Sequence, residues 1–358
     1  MRSYRRILIT GGAGFVGASL ALFLKSRIAD AEVIAFDNLH RRGSELALAR
    51  LAAGGVAFRH GDLRQPDDLF DLGAVDLILD CAAEPSVRSG YGEGLRYLYD
   101  TNLTGTLNTL ELARRHQADI AFFSTSRIYP MQGLQALPLR EGPTRLDLPA
   151  DAHGIGWSAA GIAEDFPLPG ARSFYGATKL ASELLIAEYT HAFGLRSLVN
   201  RCGVIAGPWQ MGKVDQGFFV LWAARHFFQG PLGYQGYGGK GLQVRDVLAV
   251  GDLAALLWRQ LAQLDDLSGK TFNVGGGRAN SVSLQELTAL CSARTGHRLA
   301  LSVQPETHPA DVPWYIADNA AVTAATGWMP ETTLPMLLDQ VLAWLTQEAT
   351  RLRPLLGA

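Results

Sequence analysis

A tyrosine and a lysine four residues apart are the side chains of this sequence best suited to acid–base chemistry. They are Tyr175 and Lys179, and no other tyrosine of the chain has a lysine at this spacing. On a helix, residues i and i+4 lie on one face, so the phenol and the ammonium would point into the same space. Two charges about 4 Å apart at an effective dielectric of about 20 interact by roughly 4 kcal/mol, or about three pKa units, and burial opposes part of that shift. The pair therefore predicts a phenol that can act as a base near neutral pH, although the spacing alone fits a surface pair on an amphipathic helix at least as well.

A glycine-rich turn near the N-terminus is suited to binding phosphate groups. The apolar run 7–10 predicts a buried strand, the segment 11–17 a turn, and residues 18–25 a helix. Free N–H groups and the dipole at the start of a helix both favour an anion. The glycines at 12, 14 and 17, or at 11, 14 and 17, fit the spacings of dinucleotide-binding turns.

The next predicted strand, 32–36, ends at Asp37. A carboxylate at that place accepts hydrogen bonds from an adenosine ribose and repels a 2′-phosphate, so NAD is favoured over NADP. Arg41 and Arg42 lie close by in the sequence and keep NADP open. Asp62 follows the strand predicted at 56–58, where it could meet the adenine amine or, equally well, serve as a helix N-cap.

Predicted strands alternate with predicted helices through the first half of the chain. Further strands are predicted at 75–81, 120–124 and 198–205, and helices at 65–70, 99–116 and 175–193. This order indicates an α/β fold with a doubly wound parallel sheet of the Rossmann type. The proline- and glycine-rich segment 130–172 predicts a long loop or lid over a site.

After Pro208 the composition changes, which indicates a smaller, mixed α/β domain for the substrate. Helices are predicted at 253–264, 283–296 and 334–352, the second of them with a capping box formed by Ser283 and Glu286, and a strand at 272–274. We predict an NAD-binding domain over 1–203 and a substrate-binding domain over 204–358, joined by the 130–172 loop. Residues 244–276 are expected to fold back onto the first domain.

Composition narrows the classes of partner. The formal net charge of −2 and the pI near 6.5 argue against a nucleic-acid surface. Cys81, Cys202 and Cys291 are far apart and have no nearby histidine cluster, so neither a disulfide framework nor a metal site is expected. This cysteine usage fits a reducing cytoplasm. No apolar run is long enough for a membrane span, and the N-terminus lacks a clear cleavage site, so we expect a soluble, unprocessed protein.

Several of these segments together resemble the extended short-chain dehydrogenase/reductases, and within them the NAD-dependent epimerase/dehydratase family, over essentially the whole chain. They are residues 10–17, Asp37, Asp62, the Ala82-Ala83 pair, residues 102–106, the Ser124-Thr125 step, and Tyr175 with Lys179. Segments 124–130, 214–218, 243–248 and 272–276 are most similar to the subfamily of CDP-paratose 2-epimerases, also called CDP-tyvelose epimerases.

The resemblance implies a chemistry for the tyrosine. Tyr175 would remove the proton of a sugar hydroxyl while a hydride passes from the same carbon to NAD. Lys179 would lower the pKa of the phenol and hold the nicotinamide ribose, and Thr125 would bind the sugar hydroxyl or the tyrosine. The keto sugar would turn over and take the hydride back on its opposite face. NAD would stay bound, and in the 2-epimerases the oxidised carbon is C-2.

The resemblance also implies which residues contact each ligand. The cofactor contacts would come from Gly11, Gly14, Phe15, Val16, Gly17, Asp37, Asn38, Asp62, Leu63, Ala82, Ala83, Asn102, Ser124, Tyr175, Lys179 and Cys202. Contacts to a nucleotide-diphosphate sugar would come from Ser86, Arg127, Gln216, Tyr237, Gln243 and Arg245. The guanidinium fork of Arg245 suits a diphosphate, unless it pairs with Asp246 or another carboxylate. Arg127 suits the glycosyl phosphate or the polar edge of a deoxysugar, and a structural salt bridge equally well. Tyr237 or Trp209 could stack on the base.

Two other activities share these motifs. A 4,6-dehydratase needs an acid pair directly after the catalytic threonine, where this chain has Ser126 and Arg127, so dehydration is disfavoured unless a carboxylate such as Glu84 takes that place. A UDP-hexose 4-epimerase differs only in the carbon that faces the cofactor, which no spacing reveals. A non-catalytic NAD-binding regulator is disfavoured because Thr125, Tyr175 and Lys179 are all present.

The sequence departs from the family pattern at three places. Ala249 replaces a common histidine and Gly251 a common aspartate, and the segment 307–311 lacks an arginine that usually helps to bind the diphosphate. These changes leave the identity of the substrate open. The helices at 102–116 and 175–193 resemble those that form a four-helix dimer interface in the family, so a homodimer is expected on analogy.

Overall fold

The computed structural model describes residues 2–212 and 216–357 of the chain. At its centre lies a sheet of seven strands. In chain order they are β1 (Arg6–Thr10), β2 (Glu32–Asp37), β3 (Ala57–His60), β4 (Leu77–Asp80), β5 (Asp119–Thr125), β6 (Ser197–Cys202) and β7 (Lys270–Val274). Across the sheet they follow the order 3-2-1-4-5-6-7, and neighbouring strands are parallel. The predicted doubly wound parallel sheet is therefore confirmed.

Helices cover both faces of this sheet. The longer helices of the whole chain, in sequence order, are α1 (Phe15–Arg27), α2 (Gly105–His116), α3 (Phe174–Phe193), α4 (Phe218–Phe228), α5 (Val250–Ala262), α6 (Leu284–Thr295) and α7 (Leu334–Gln347). Shorter helices span Ala47–Ala53, Pro66–Phe70, Leu95–Tyr99, Met131–Gln135, Leu264–Leu267, Ala320–Thr326 and Ala349–Leu356. Because side chains alternate along a strand, β1 sends Ile7 and Ile9 into the core under α1 and α5, and Leu8 into the core under α2 and α3.

The second half of the chain builds a smaller group of strands beside the carboxyl ends of the central sheet. Val204–Ala206, Val244–Ala249 and Ser281–Ser283 form one sheet, in which Trp314–Tyr315 also pairs with the central strand. Leu232–Gln235 pairs with Leu301–Gln304 in parallel. Helices α4, α6 and α7 pack around a separate apolar core there. The predicted capping box of α6 is present, since Ser283 Oγ accepts from the Glu286 amide and the Glu286 carboxylate accepts from the Ser283 amide, both at 3.0 Å.

The strand predicted at 198–205 is divided in two. β6 ends at Cys202, and Val204–Ala206 leaves the central sheet to pair with Val244–Ala249. Gly203 lies at the break, where a Cβ would come within 2.9 Å of the Asp246 carboxylate. A residue without a side chain is therefore needed where the chain crosses from one sheet to the other.

Two predicted helices are also interrupted. The helix expected at 99–116 contains a π-helical turn at Asp100–Thr104 before α2 begins, a feature that often marks functional sites. The helix expected at 334–352 ends at Gln347 and a second one begins at Ala349.

The segment predicted as a long loop, 130–172, contains the helix Met131–Gln135 and two small antiparallel groups, Arg140–Glu141 with Leu146–Asp147 and the strands at His153–Gly154, Trp157–Ser158 and Gly161–Ile162. Its apolar side chains join those of the 312–317 segment in one core cluster. This segment therefore packs against the second half of the chain.

The part of the chain after residue 203 is not separate from the central sheet. β7 pairs with β6 along its whole length, and α5 packs against α1. The domain division at residue 203 stays a prediction. Within the described residues, no helix combines the length and apolar character needed to cross a membrane.

Candidate active site

A cavity of about 900 Å³ lies at the carboxyl ends of the central strands, between the sheet and the second half of the chain. This is where open α/β sheets bind their ligands. Its lining includes most of the side chains predicted from the sequence: Gly11, Gly14, Phe15, Val16, Gly17, Asp37, Asn38, Asp62, Leu63, Ala82, Ala83, Ser86, Ser124, Thr125, Arg127, Tyr175, Cys202, Gln216, Gln243 and Arg245. Asn102, Lys179 and Tyr237 are predicted site residues that do not line it.

The turn between β1 and α1 forms the floor of one end of the cavity. Gly11 has a φ of +62°, and a Cβ there would lie 2.8 Å from the Ala82 backbone. A Cβ on Gly17 would lie 2.2 Å from the Gly11 carbonyl oxygen. α1 begins after Gly14 with no side-chain cap and no acidic residue in its first turn. Its first N–H groups are thus left for an anion, which fits the pyrophosphate of a dinucleotide.

Asp37 lies next to this turn at the end of β2. Its carboxylate accepts hydrogen bonds from the Leu39 amide at 2.8 Å and the Ala13 amide at 3.1 Å. Burial raises the pKa of this carboxyl group, and the backbone hydrogen bonds oppose that change. The side chain is therefore fixed at the edge of the glycine turn, where it suits the ribose of an adenosine.

Asp62 approaches the same end from the neighbouring strand. It pairs with Arg64 at 2.6 Å and accepts from Asn38 Nδ2 at 3.2 Å. These hydrogen bonds lower the pKa of Asp62 to about 2. The alternative role as a helix N-cap is wrong, because the N-cap of the following helix is Gln65.

The helix that carries the predicted base is positioned by two small residues. Ser173 caps α3, its Oγ accepting from the Gly176 amide at 3.1 Å. A Cβ on Gly176 would lie only 2.0 Å from the carbonyl oxygen of Arg127. Since glycine permits this approach, the first turn of α3 comes against the loop that follows β5, and Tyr175 is brought to Thr125.

Tyr175 lies at the centre of the cavity, between its two ends. Burial raises the pKa of its phenol to about 12, and a hydrogen bond with Thr125 acts in the opposite direction. Among nearby charges, Arg127 lowers this pKa and Glu84 raises it. A phenol held against a threonine hydroxyl in a closed site can exchange a proton with a substrate hydroxyl.

Lys179 lies below the cavity. The side chain is only 2% exposed, and its Nζ is 3.7 Å from the centre of the Phe122 ring. Burial lowers the pKa of the ammonium, and the carboxylate of Asp80 opposes this. Thr125 is thus the group that most lowers the pKa of the phenol, while the carboxylate of Asp80, at the end of β4, favours the charged form of Lys179.

Sequence reasoning missed the buried ion pair beside the catalytic helix. Glu183 and Arg201 pair at 2.9 Å, and both side chains are buried. Glu183 also accepts from the hydroxyl of Ser124, and Arg201 donates to Tyr129 Oη at 3.2 Å. The signal was present, because Glu183 follows Lys179 at the same four-residue spacing that links Lys179 to Tyr175.

Asn102 acts on the loop after β4. Its Oδ1 accepts from the Glu84 amide at 2.7 Å, and its Nδ2 donates to the Glu84 carbonyl at 3.2 Å and to Thr178 Oγ1 at 3.1 Å. These bonds occupy both ends of the amide. Asn102 was predicted as a cofactor contact; in the structure it does not line the cavity but fixes this loop to α3.

Two arginines meet one carboxylate at the opposite end of the cavity. Arg245 pairs with Asp311 at 2.8 Å, and Arg127 approaches the same carboxylate oxygen at 3.8 Å. Arg245 thus pairs with Asp311, whereas Asp246 accepts from the backbone amides of residues 277 and 317. Both predicted anion-binding guanidinium groups therefore lie together.

The other predicted substrate residues are spread over the cavity. Gln216, predicted as a substrate contact, accepts a hydrogen bond from Arg41, and both residues line the cavity. The hydroxyl of Tyr237 is buried without a hydrogen-bond partner beside Arg245 and Asp311. Val214 and Asp215, part of the motif at 214–218, lie outside the described residues. In the part of the chain that is described, no cluster of three or more side chains is arranged to hold a metal ion.

The chain is similar to proteins of one family along most of its length. The model of the NAD dependent epimerase/dehydratase family matches residues 7–275. The chain is 30% identical to the CDP-paratose 2-epimerase of Salmonella typhi, across 95% of this chain and 98% of that protein. It is 28% identical to the UDP-glucose 4-epimerase of Halalkalibacterium halodurans, across 94% and 95%.

Solved structures show the same fold. The UDP-glucuronic acid 4-epimerase of Bacillus cereus, in complex with UDP-glucuronic acid and NAD, superposes with a TM-score of 0.78 at 21% identity, across 96% of this chain and 99% of that one. The dTDP-glucose 4,6-dehydratase of Bacillus anthracis, in complex with NAD, gives a TM-score of 0.76 at 22% identity, across 98% and 99%. Because the family model matches residues 7–275, which include the glycine turn, α3 and the central sheet, this chain belongs to the NAD dependent epimerase/dehydratase family.

Proposed function

We propose that this protein is an NAD-dependent epimerase of nucleotide sugars, which inverts one carbinol carbon through a keto intermediate, at C-2 of a CDP-sugar. The observation that carries the proposal is the composition of the catalytic end of the cavity. Tyr175 and Thr125 both line the cavity there, and the Thr125 hydroxyl lowers the pKa of the phenol. The two positions after Thr125 hold a serine and an arginine. Such a site can transfer a hydroxyl proton in both directions, but it lacks the acid pair after the threonine that a dehydratase uses to eliminate water.

The chain's own residues would work as follows. Tyr175 takes the proton of the substrate hydroxyl, and Thr125 holds the phenol and stabilises its anion. NAD supplies the acceptor and later the donor of a hydride, so the reaction has no net oxidation. The glycine turn and Asp37 would hold the dinucleotide, with Lys179 and Asp80 below the nicotinamide end. Return of the proton from Tyr175 completes the cycle.

C-2 of a CDP-sugar is favoured by the similarity to the CDP-paratose 2-epimerase. A UDP-hexose 4-epimerase is the second candidate, supported by the similarity to the UDP-glucose 4-epimerase over nearly the same length. Both activities need the same proton and hydride transfers, and they differ in which carbon lies beside Tyr175. A 4,6-dehydratase is less well supported, because the Glu84 carboxylate accepts from the Ser86 amide at 3.1 Å and the Ser89 hydroxyl at 3.2 Å.

The experiment is a conversion screen with purified protein and CDP-, UDP-, GDP- and dTDP-sugars, followed by NMR of the product. We expect NAD to co-purify and a product of unchanged mass, with no net NADH. The inverted carbon distinguishes the 2-epimerase from the 4-epimerase. Stoichiometric NADH would instead identify a dehydrogenase, and loss of water a dehydratase.

We also propose a homodimer in the cytoplasm. Helices α2 and α3 expose large apolar side chains, with Leu107 38%, Leu184 63% and Phe193 48% exposed, as an interface between two copies would require. The three cysteines are free thiols, which suits a reducing compartment. Sedimentation should show a dimer that Leu184→Arg converts to a monomer, and a monomeric wild-type protein would contradict the proposal.

A further inference from the structure

Basic side chains gather at the substrate end of the cavity, and two of them were not singled out in the sequence. Besides Arg127 and Arg245, the side chains of Arg88 and His308 line this end. The nearby carboxylates are Asp311, which already pairs with Arg245, and Glu84, which bonds to its own loop. Three guanidinium groups thus face two carboxylates, so this end of the cavity favours an anion.

The loop that carries Arg88 is built by hydrogen bonds. The buried Asn102 holds the backbone of Glu84, and the Glu84 carboxylate accepts from the Ser86 amide and the Ser89 hydroxyl. The Arg88 amide donates in turn to Ser86 Oγ at 3.2 Å. The position of Arg88 at the cavity is therefore set by the same π-helical turn that borders the catalytic helix.

Arg88 is linked to the strand that carries Arg245. Its Nη2 donates to Gln235 Oε1 at 3.1 Å, and the Gln235 carbonyl accepts from Gln243 Nε2 at 3.0 Å. Gln243 is 7% exposed, its Oε1 has no partner, and it stands two residues before Arg245. Hydrogen bonds through Gln235 and Gln243 therefore connect the Arg88 side chain to the segment that carries Arg245.

His308 faces Arg88 from the C-terminal segment. Its ring packs edge-on against Tyr91, 5.2 Å between ring centres, and Nδ1 accepts from the Ala310 amide at 3.1 Å. That bond assigns the proton of the neutral ring to Nε2. Burial and the charge of Arg88 lower the pKa of His308, and Asp311 opposes them. Nε2 is thus the ring atom left to donate a hydrogen bond to a ligand.

We propose that Arg88 and His308 form the second half of the site for the substrate diphosphate, opposite Arg245, with Arg88 supplying charge and His308 an Nε2–H donor. His308 stands in the segment 307–311 that lacks the expected arginine. The two residues come from different parts of the chain, yet they meet at the same end of the cavity. The inference rests on the proposed function only for the identity of the ligand, since the anion site itself can be measured without turnover.

The test is calorimetric binding of CDP and of inorganic pyrophosphate to the NAD-loaded protein. Arg88→Gln should weaken both by about tenfold to a hundredfold, as expected for a lost charge-assisted contact. His308→Phe keeps the ring packing against Tyr91 and should weaken binding by about threefold to tenfold. Arg96→Gln is the matched control, because Arg96 is exposed and outside the cavity, and it should bind like the wild type.

Binding by Arg88→Gln within twofold of the wild type would overturn the inference, as would a wild-type protein that binds neither probe. Bound NAD and the thermal midpoint are measured for each variant, so that a folding defect is recognised. Arg88→Lys separates folding from charge and should keep most of the affinity. If both probes bind as expected but no nucleotide sugar is epimerised, the proposed function fails and the anion site stands.

Discussion

The two ends of the cavity are built in different ways. At the cofactor end, the surface is mostly backbone: the glycines of the β1–α1 turn, whose missing side chains leave room for close approach, and amides that also hold Asp37. At the substrate end, the surface consists of side chains from four separate stretches of chain, Arg88, Arg127, Gln243 with Arg245, and His308 with Asp311.

The difference explains how such a family can keep one cofactor while its substrates vary. A backbone surface changes only when the fold changes, whereas a side-chain surface changes with each substitution. Tyr175 lies where the two ends meet, on a helix that Gly176 brings against the loop after β5. Changes at the two ends should therefore produce different defects.

The largest effect is expected at Tyr175. Tyr175→Phe removes the hydroxyl that exchanges the proton, so turnover should fall by about 10³-fold or more. Bound NAD should be unchanged, because the glycine turn and Asp37 are untouched. The check is turnover together with the NAD content of the purified variant. An undiminished rate would show that Tyr175 is not the base.

The next effect is expected at the cofactor end. Gly17→Ala places a methyl group where a Cβ would lie 2.2 Å from the Gly11 carbonyl oxygen, so the turn must shift. We expect loss of bound NAD and a decrease of about 1–3 kcal/mol in the free energy of unfolding. NAD release on denaturation and chemical unfolding measure the two quantities.

Gly251→Ala is the matched control for that change. Gly251 is also in a helix, but a Cβ there meets no atom within 4 Å. Alanine should therefore stabilise the protein by about 0.5–1 kcal/mol and leave bound NAD unchanged. Equal loss of NAD from both variants would show that the loss does not depend on close packing within the glycine turn.

The smallest effect is a shift in the pH profile. The base acts as its anion, and the pKa of Tyr175 is about 12 in the ligand-free protein, so activity should rise with pH from neutrality upward. The hydrogen bond with Thr125 lowers this pKa. Thr125→Val should therefore raise it and move the rising limb of kcat by about one to two pH units toward higher pH. A limb that stays in place would show that Thr125 does not act on the phenol.

Parts of the fold with short-range signals were predictable. The central strands and α3 appear close to their expected positions, because buried runs and capping residues act within a few neighbours in sequence. The prediction failed where a distant group decides the local structure. The strand breaks at Gly203, where Asp246 leaves no room for a Cβ, and no neighbour of Gly203 in the sequence carries that information.

The sequence by itself determined the glycine turn and the doubly wound sheet, since both depend on spacing along the chain. It also predicted Tyr175 with Lys179 as an acid–base pair, but burial raises the pKa of the phenol to about 12 and the charge near Lys179 is that of Asp80. Only the tertiary structure decided what surrounds them: Thr125 as the partner of the phenol, Asp80 as the countercharge of Lys179, and Arg88 beside His308. The physical reason is that electrostatic and packing energies depend on distance in space. Residues 88 and 308 are neighbours only because the chain folds them to one end of the cavity.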